Sequence, residues 1–363
     1  MNRRAFLQLV SAVCGGTVVA AEAKARPTLL SYRDASGAWQ PVKTVADWQQ
    51  RRQQILAAAQ EIMGPLPGAE KRCPLDLQLQ EETDCGSYVR RAITYASESG
   101  SRVPAYLLIP KRLLNEPGAQ ASAVLCLHPT DNVVGRGVVV GLGGKANRQY
   151  AAELAERGFV TLAPPYPLLA DYQPDIFALG YASGTMKAIW DNIRGLDLLE
   201  TLPFVKRGNF GAIGHSLGGH NAVYSAVFDE RITAVVSSCG LDSYRDYYGG
   251  DAKRWLHGQG WCQDRYMPRL AQYAGRLDEI PFDFDALLAA LAPRHVFISA
   301  PLQDSNFQWR SVDRIVAAAR EVYALHGAAD NLALEHPDCP HDFPDVMREK
   351  AYDLFTQALR SEK

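Results

Sequence analysis

The stretch Asn209-Phe210-Gly211-Ala212-Ile213-Gly214-His215-Ser216-Leu217-Gly218-Gly219-His220 joins an apolar run to a glycine-flanked serine. An alanine- and valine-rich run follows it, so the pattern predicts a short buried strand, a sharp turn and a helix. The turn matches G-x-S-x-G, in which Gly214 and Gly218 flank Ser216. A nucleophilic serine on a strained strand-to-helix turn needs neighbours without a Cβ atom, because both arms of the chain pass close together. The stretch therefore predicts a nucleophilic serine at such a turn.

Strands alternate with helices from about residue 119 onward, which is typical of a mostly parallel central sheet with helices on both faces. Besides the strand before Ser216, we predict strands over residues 123–127, 159–163, 232–237, 295–299 and 332–335. Apolar residues at three- and four-residue spacing predict helices over 147–157, 186–199, 311–325 and 344 to about 360. Residues 241–285 interrupt the alternation with an insertion rich in tyrosine and tryptophan. We therefore expect an α/β fold with an aromatic-rich insertion.

Residues 26–118 have a different pattern and are predicted to form an N-terminal α+β extension packing on the core. The segment 45–63 is predicted to be helical, with Trp48, Ile55, Ala59 and Ile62 on its buried side. Alternating apolar residues over 75–79 and 88–95 predict antiparallel strands, and residues 103–110 predict a further strand. The catalytic domain is then expected to cover residues 119–363.

The first 25 residues have the features of an export signal of the twin-arginine type. Arg3 and Arg4 precede Phe6-Leu7, an apolar run continues to Ala21, and Ala23-Lys24-Ala25 has the form of a cleavage site. The run is short and interrupted by glycines, so no stable membrane span is expected after processing. The predicted location is therefore exported, periplasmic or secreted.

Composition limits the possible partners. The chain has 363 residues, of which 47% are hydrophobic, and a net charge of −2, so no basic surface predicts nucleic-acid binding. Seven cysteines include Cys14 in the signal segment, and export permits disulfides among the other six. Spacing leaves their pairing open, and it leaves the oligomeric state open as well. The six are Cys73, Cys85, Cys126, Cys239, Cys262 and Cys339. Because no C-x-x-C pair or histidine cluster has metal-ligand spacing, no metal is expected.

A serine nucleophile requires a base, and the base requires an orienting carboxylate. In this architecture the expected order along the chain is serine, acid, histidine. His341 lies in a loop directly after the last predicted strand and is the predicted base. The other histidines fit less well: His336 ends that strand, His326 ends a helix, and His215 and His220 are too near Ser216 in sequence.

Two aspartates compete for the role of the acid. Asp304 follows the predicted strand 295–299, the usual position, and Asp242 follows the preceding strand. We favour Asp304 on positional order. Either residue is alternatively an ordinary aspartate that caps a turn or a helix.

The remaining site predictions concern the oxyanion hole and the substrate pocket. The backbone N–H of Leu217 is one expected oxyanion donor, and an N–H near Thr130 is the other. His128 either supports that loop or is a buried histidine with satisfied hydrogen bonds. The residues predicted to surround the substrate are His128, His215, Trp255, Trp261 and Tyr266. The aromatic residues alternatively pack the core of the insertion.

The segments Leu127-His128-Pro129-Thr130, Gly214-His215-Ser216-Leu217-Gly218 and Pro340-His341-Asp342-Phe343 resemble the α/β-hydrolase superfamily. More narrowly, they are similar to dienelactone-hydrolase-like and acetyl-xylan-esterase-like secreted bacterial serine hydrolases, over roughly residues 90–360. The resemblance implies Ser216 as nucleophile, His341 as base, Asp304 as acid, and ester hydrolysis without a cofactor. Three departures stand out. True dienelactone hydrolases use cysteine as nucleophile, glucuronoyl esterases have an arginine after the serine where Leu217 stands, and many hydrolases have glycine in place of Pro129.

The function predicted from these residues is hydrolysis of a carboxylic ester through an acyl-enzyme. The substrate is expected to be a small-molecule or carbohydrate ester. One alternative is a serine peptidase similar to prolyl oligopeptidases, because the strand 103–110 resembles the one that enters their hydrolase domain. The other is a non-catalytic binding protein that keeps the fold.

Overall fold

The protein was analysed as a computed structural model, which describes residues 27–360. The predicted signal segment, residues 1–25, lies outside this range. Eleven strands are present in the described part of the chain. They are β1 (Ser31–Arg33), β2 (Trp39–Pro41), β3 (Gln78–Asp84), β4 (Tyr88–Glu98), β5 (Ser101–Pro110), β6 (Ala121–Leu127), β7 (Val160–Ala163), β8 (Val205–His215), β9 (Ile232–Ser238), β10 (His295–Ser299) and β11 (Leu332–Glu335).

Nine of these strands form one sheet in the order β11-β10-β9-β8-β6-β7-β5-β4-β3. Strands β6 to β11 pair in parallel, and β3, β4 and β5 are antiparallel to their neighbours. The carboxyl ends of β8, β10 and β11 therefore meet at the same side of the sheet. The prediction of a mostly parallel sheet is confirmed, and each predicted strand from residue 119 onward is present.

Helices cover both faces of the sheet, as predicted. They are α1 (Val45–Met63), α2 (Lys111–Asn115), α3 (Tyr150–Glu156), α4 (Gly184–Thr201), α5 (Leu217–Phe228), α6 (Phe284–Ala289), α7 (Trp309–Leu325) and α8 (Asp345–Arg360). One apolar cluster joins the sheet to α1, α4, α5, α6 and α7. A second cluster on the opposite face joins it to α3 and α8. The sheet is thus buried between two helical layers and can hold the loops at its carboxyl side in fixed positions.

The N-terminal extension continues the central sheet. Strand β5 pairs antiparallel with β7, where Tyr106 lies opposite Ala163, so a boundary at residue 118 passes through one sheet. Helix α1 begins at a capping box formed by Thr44 and Asp47, and the predicted residues of its inner face are buried. Strand β3 begins at Gln78, three residues later than predicted, and its Leu79 side chain is exposed.

The insertion, residues 241–285, contains five short 3₁₀ segments joined by turns and loops. They are Tyr247–Gly250, Ala252–Trp255, Gly260–Cys262, Pro268–Tyr273 and Leu277–Glu279. Tyr244 lies at its centre and packs edge-on against Trp255, Trp261 and Phe282. Part of the aromatic content therefore forms the insertion's own core, and the rest reaches the cavity described below. None of the helices between residues 27 and 360 is both long and apolar enough to cross a membrane.

Candidate active site

The turn between β8 and α5 places Ser216 at the carboxyl side of the sheet. Ser216 has a φ of 55°, a conformation that costs free energy for a residue with a side chain. A Cβ atom at Gly214 would lie 2.1 Å from the backbone of Gly218, and one at Gly218 would lie 1.9 Å from the carbonyl oxygen of Leu127. Gly214 is therefore required by the close approach of the two arms, as the sequence predicts, whereas Gly218 is required by the approach of the turn to the end of β6.

His341 and Asp304 contact each other across the loops that follow β11 and β10. Nδ1 of His341 lies 2.7 Å from Oδ2 of Asp304. Since a carboxylate only accepts, Nδ1 carries the proton and Nε2 is left with a free lone pair. The Asp304 side chain is 2% exposed, and it also accepts hydrogen bonds from the N–H groups of Asn306 and Phe307. This arrangement fixes both the tautomer and the orientation of the imidazole.

The environment of Asp304 favours its ionised form. Burial alone would raise the pKa of this carboxyl group. The hydrogen bond and the charge of His341, together with the two backbone N–H groups, outweigh burial and lower the pKa below its usual value. Asp304 is therefore a carboxylate at neutral pH and can stabilise an imidazolium at His341.

Asp242, the alternative acid, lies after β9 in a different environment. Its side chain is fully buried, and Oδ2 accepts a hydrogen bond from the N–H of Gln308 at 3.4 Å. Burial raises its pKa to about 7. Between the two aspartates, the structure pairs Asp304 and not Asp242 with His341.

A buried arginine holds the His341 loop from the opposite side, a feature that the sequence analysis missed. Arg148 is 3% exposed and forms an ion pair with Asp342 at 2.5 Å. Its guanidinium also donates to the carbonyl oxygen of His341 at 3.3 Å, and Asn147 donates to Asp342 at 2.9 Å. These contacts fix the backbone on both sides of the imidazole. The positive φ of Asn147, 62°, is a local feature that no sequence pattern indicated.

The candidate oxyanion donors lie beside Ser216. Leu217 is the first residue of α5, so its N–H has no partner within the helix. The N–H of Ser216 is already used, since it donates to the carbonyl oxygen of Ser238 at 2.8 Å. Leu217 and Thr130 both line the cavity that contains Ser216. The residues that carry the predicted donors therefore line the same cavity as Ser216.

His128 supports the Thr130 loop and does not line either cavity next to Ser216, so its predicted contact with substrate is corrected. Its Nδ1 lies 2.8 Å from the carbonyl oxygen of Pro129, and its Nε2 lies 2.8 Å from the N–H of Tyr166. One ring nitrogen must donate and the other must accept, which requires the neutral form. Burial lowers the pKa of His128 to about 4, in agreement with that form.

Aromatic side chains line the cavity on one side of Ser216. The cavity has an empty volume of about 360 Å³. Trp261 and Tyr266 lie in its wall, as predicted, and the Tyr266 hydroxyl group is 3.2 Å from Oγ1 of Thr130. The other lining residues are Thr130, Ser216, Leu217, His220, Tyr247, Gly260, Asn306 and Phe307.

The prediction that Trp255 contacts the substrate is wrong, and the wall of the aromatic cavity includes residues that were not predicted. Trp255 is fully buried between Tyr244 and Tyr247 in the insertion core, so it does not line the cavity. Asn306 and Phe307 line the cavity but were not among the predicted pocket residues, although they lie two and three residues after Asp304. Proximity to Asp304 in sequence was the signal that could have identified them.

A second cavity lies on the other side of Ser216 and contains basic groups. It has an empty volume of about 430 Å³ and includes Lys145, Arg148, His215 and His341 in its lining. The remaining lining residues are Pro129, Thr130, Asp131, Val138 and Ser216. His215 is neutral, because burial first, and then the nearby charges of Arg148, His341 and Lys145, lower its pKa well below its usual value.

Two further histidine candidates for the base, His336 and His326, line neither cavity next to Ser216, and the cysteines form no disulfides in residues 27–360. His336 contacts Asp313 at 2.9 Å and the carbonyl oxygen of Ala300 at 2.7 Å, and His326 ends α7. All six cysteines within residues 27–360 are free thiols, so no disulfide joins Cys73 to Cys85.

Comparisons with known proteins agree with this fold. Residues 175–327, less than half of the chain, match the sequence profile of the family described as "Glucuronyl esterase, fungi". The matched segment includes Ser216 and Asp304 and ends before His341. The chain is 24% identical over 312 residues to "Putative hydrolase YtaP" of Bacillus subtilis, which covers 83% of this chain and 96% of that protein.

Two further similarities involve glucuronoyl esterases. The chain is 24% identical over 176 residues to the 4-O-methyl-glucuronoyl methylesterase of Hypocrea jecorina, covering 44% of this chain and 36% of that enzyme. The solved structure of a glucuronoyl esterase from Solibacter usitatus has a TM-score of 0.74 at 20% identity, and the match covers 94% of this chain and 100% of that one. The comparisons confirm the predicted α/β-hydrolase fold and support the prediction of a carboxylic ester hydrolase.

Proposed function

We propose that the protein is a serine esterase that cleaves a carboxylic ester of a carbohydrate, with Ser216, His341 and Asp304 as its catalytic triad. One observation carries the proposal. The Asp304–His341 hydrogen bond lies at the same side of the sheet as Ser216, and Ser216 and His341 line one cavity. An orienting carboxylate, a base with a free Nε2 and a serine on a strained turn are the groups that acyl transfer requires.

In the proposed mechanism His341 Nε2 accepts the proton of Ser216 as Oγ attacks the ester carbonyl carbon. The N–H of Leu217 and an N–H near Thr130 donate to the oxyanion of the tetrahedral intermediate. The imidazolium, stabilised by Asp304, then protonates the leaving alcohol. Water, deprotonated by the same imidazole, attacks the acyl-enzyme and releases the acid. No step requires a cofactor.

A uronic acid ester is the substrate class that we propose to test first. The family match and the Hypocrea jecorina relative support it, because both are described as esterases of glucuronic acid. The two cavities also support it. The aromatic cavity offers apolar faces on which a sugar ring or an aryl group can stack, and the basic cavity contains Lys145 together with Ser216. Leu217 replaces the arginine that follows the serine in glucuronoyl esterases, so only its backbone N–H serves the oxyanion.

The test is hydrolysis of an ester panel by the wild type and by Ser216→Ala. The panel contains methyl and benzyl glucuronates, acetylated xylo-oligosaccharides, feruloyl esters and short p-nitrophenyl esters. Loss of the nucleophile should reduce kcat by about 10⁴-fold or more, because triad members act as a unit. A Ser225→Ala variant is the matched control, since Ser225 is a buried helix serine bonded to Asn192 away from the cavity. Unchanged activity in Ser216→Ala would refute the assignment.

A fluorophosphonate probe separates an esterase with an untested substrate from a binding protein. The probe should label the wild type at Ser216 and leave Ser216→Ala unlabelled, since labelling requires an activated serine and not a specific substrate. Lack of labelling together with no activity on the panel would favour the non-catalytic alternative. Cleavage of prolyl peptides without ester hydrolysis would favour the peptidase alternative.

We propose further that residues 1–25 direct export through the twin-arginine route. The Arg3-Arg4 pair, the interrupted apolar run and the Ala23-Lys24-Ala25 site support this. Replacement of both arginines with lysine should keep the precursor in the cytoplasm of a Gram-negative host, as measured by fractionation. N-terminal sequencing of the exported wild type should give a start near Arg26. Export of the double variant at the wild-type level would contradict the proposal.

A further inference from the structure

Two side chains beside the proposed base take no part in the proposed acyl-transfer steps. His215 and Cys239 each place a ligand atom near His341, and the three atoms lie within 4.8 Å of one another. His215 and Cys239 are buried, whereas His341 borders the basic cavity. Imidazole nitrogen and thiolate sulfur are the ligands that Zn²⁺ prefers in proteins. The cluster therefore has the composition of a metal site.

Both histidines already have one ring nitrogen held by a partner. Nδ1 of His341 is bonded to Asp304, and Nδ1 of His215 lies 3.1 Å from Oγ of Ser238. Metal-ligating histidines in proteins have this arrangement, in which a carboxylate or other polar group fixes one nitrogen and the other faces the ion. Binding at Nε2 of either imidazole would leave these contacts intact, whereas binding at Nδ1 would break them. For His341, Nε2 is also the nitrogen that would accept the serine proton.

Cys239 is a protonated thiol when no metal is bound. Its Sγ lies 3.3 Å from the carbonyl oxygen of Asp342, and burial raises the pKa of the thiol well above its usual value. A bound cation would displace this proton to solvent and form a metal–sulfur bond. The ion would keep a positive charge after binding one thiolate and two neutral imidazoles, and the carboxylate of Asp304 would compensate it.

We infer that His215, Cys239 and His341 form an inhibitory site for a thiophilic divalent cation such as Zn²⁺. A metal on either ring nitrogen of His341 would disable the base. On Nε2 the ion would occupy the lone pair that accepts the serine proton, and on Nδ1 it would displace the hydrogen bond to Asp304. This inhibition rests on the proposed role of His341. The metal binding itself does not.

The geometry requires a small adjustment. Zinc–ligand bonds of about 2.0–2.3 Å in a tetrahedral site set neighbouring ligand atoms roughly 3.4–3.7 Å apart. The two ligand atoms that are farthest apart, at up to 4.8 Å, must therefore move about 1 Å closer to each other. His341 can supply that movement, because its side chain is 24% exposed and borders the cavity through which an ion would enter. The fourth position is left for water.

The first experiment measures inhibition of ester hydrolysis by Zn²⁺ in the full-length mature enzyme. Inhibition should be reversed by EDTA, and Cys239→Ser should raise the inhibition constant by about tenfold or more, because one of three protein ligands is lost. Cys126→Ser is the matched control, since Cys126 is a fully buried thiol on β6. It should leave the inhibition constant unchanged. Equal inhibition of the wild type and Cys239→Ser would overturn the inference.

The second experiment does not depend on catalysis. Co²⁺ is titrated into the Ser216→Ala protein and into Ser216→Ala with Cys239→Ser, and the near-ultraviolet thiolate-to-cobalt charge-transfer band is recorded. The band should appear in the first protein and be absent in the second, while circular dichroism shows that both are folded. Absence of the band in the first protein would overturn the site. If the panel shows no esterase activity and the fluorophosphonate probe does not label the wild type, but the band is present, the metal site stands and the proposed function fails.

Discussion

Two loops at the carboxyl side of the sheet each carry an aspartate, and the two carboxyl groups have opposite electrostatic environments. Asp304, after β10, is bonded to His341 and to two backbone N–H groups. Asp242, after the neighbouring β9, is fully buried and accepts a long hydrogen bond from the N–H of Gln308 and one from the side chain of Ser311. The pKa of Asp304 is lowered, whereas burial raises the pKa of Asp242 to about 7. Equivalent positions after neighbouring strands thus give one ionised carboxylate and one carboxyl group that titrates near neutrality.

The difference shows that position after a strand does not by itself keep a carboxyl group ionised. A carboxylate remains charged in a protein interior only where donors or opposite charges compensate for lost water. His341 and the N–H groups of Asn306 and Phe307 provide that compensation for Asp304. The predictions below test whether this difference decides which aspartate serves the reaction.

The largest effect is expected from exchanging each acid for its amide. Asp304→Asn should reduce kcat by about 10³–10⁴-fold, the scale found when the orienting acid of a serine protease is replaced, because the amide favours the wrong tautomer of His341. Asp242→Asn should leave kcat within about twofold, since its carboxyl group contacts Gln308 and not the base. Both variants are measured on the best ester of the panel. A severe loss in Asp242→Asn with an active Asp304→Asn would reverse the assignment.

A smaller effect is expected from the arginine that holds the other side of the His341 loop. Arg148→Met removes the ion pair with Asp342 and the bond to the His341 carbonyl oxygen, so the imidazole should lose its fixed position. We expect kcat to fall by about 10–100-fold with little change in KM, because a displacement of about 1 Å costs up to this much.

The control for this variant is Arg231→Met. Arg231 also binds carboxylates, those of Asp197, Glu200 and Asp229, but none of these residues lines either cavity next to Ser216. Its loss should lower the unfolding temperature and leave kcat unchanged. If both variants lose only stability, Arg148 is structural and does not position the base.

The substitution with the smallest expected effect on activity, Asp242→Asn, should change how the free energy of unfolding depends on pH. The folded-state pKa of Asp242 is raised to about 7, so its contribution to stability is fully present below the unfolded value of 3.8 and is lost as pH rises toward 7. Asp242→Asn should therefore be more stable than the wild type at pH 8, by at most about 4 kcal/mol, and nearly equal to it at pH 4. Urea unfolding at both pH values measures this. A wild type that gains stability from pH 4 to pH 8 relative to Asp242→Asn would contradict it.

Asp304 should behave with the opposite sign. Its folded-state pKa is lowered, so its contribution is present above the unfolded value and is lost as pH falls through the folded value. The stability difference between the wild type and Asp304→Asn should accordingly shrink in acid. The same unfolding experiment, extended to lower pH, measures it. A difference that grows on acidification would show that His341 does not stabilise the carboxylate.

Many strands and helices could be predicted because the spacing of their apolar residues indicates which of the two each segment forms. The six parallel strands and the helices between them are long apolar or amphipathic segments, and β10 and β11 have the predicted limits. The 3₁₀ segments of the insertion are too short to show a repeating apolar pattern, so their first and last residues could not be predicted. The extension was separated from the catalytic domain because its pattern is antiparallel, although β5 pairs with β7 in the same sheet.

The site was predictable where chemistry ties a residue to its place along the chain. Ser216 is fixed by its glycines, and Asp304 and His341 lie in the loops where the order of the fold expects an acid and a base. Wall residues were harder to predict, because tertiary packing decides them. Trp255 and Trp261 are six residues apart, yet the first lies in the insertion core and the second lines the cavity. Arg148 was missed because its partner Asp342 is distant in sequence.

The two outermost strands of the central sheet have a consequence for association between copies of the protein. An unpaired strand offers N–H and C=O groups that a second molecule can bind, which is a route to aggregation. Strand β3 is exposed along most of its length and carries Glu81, Glu82 and Asp84. Glu82 and Asp84 form ion pairs with Arg91 and Lys111 of the same chain. This edge is therefore lined by charged side chains, which disfavour pairing with a second copy. Strand β11 has only four residues, too few for a stable intermolecular ladder. Charged side chains on one outer strand and shortness on the other both disfavour extension of the nine-stranded sheet by a second copy.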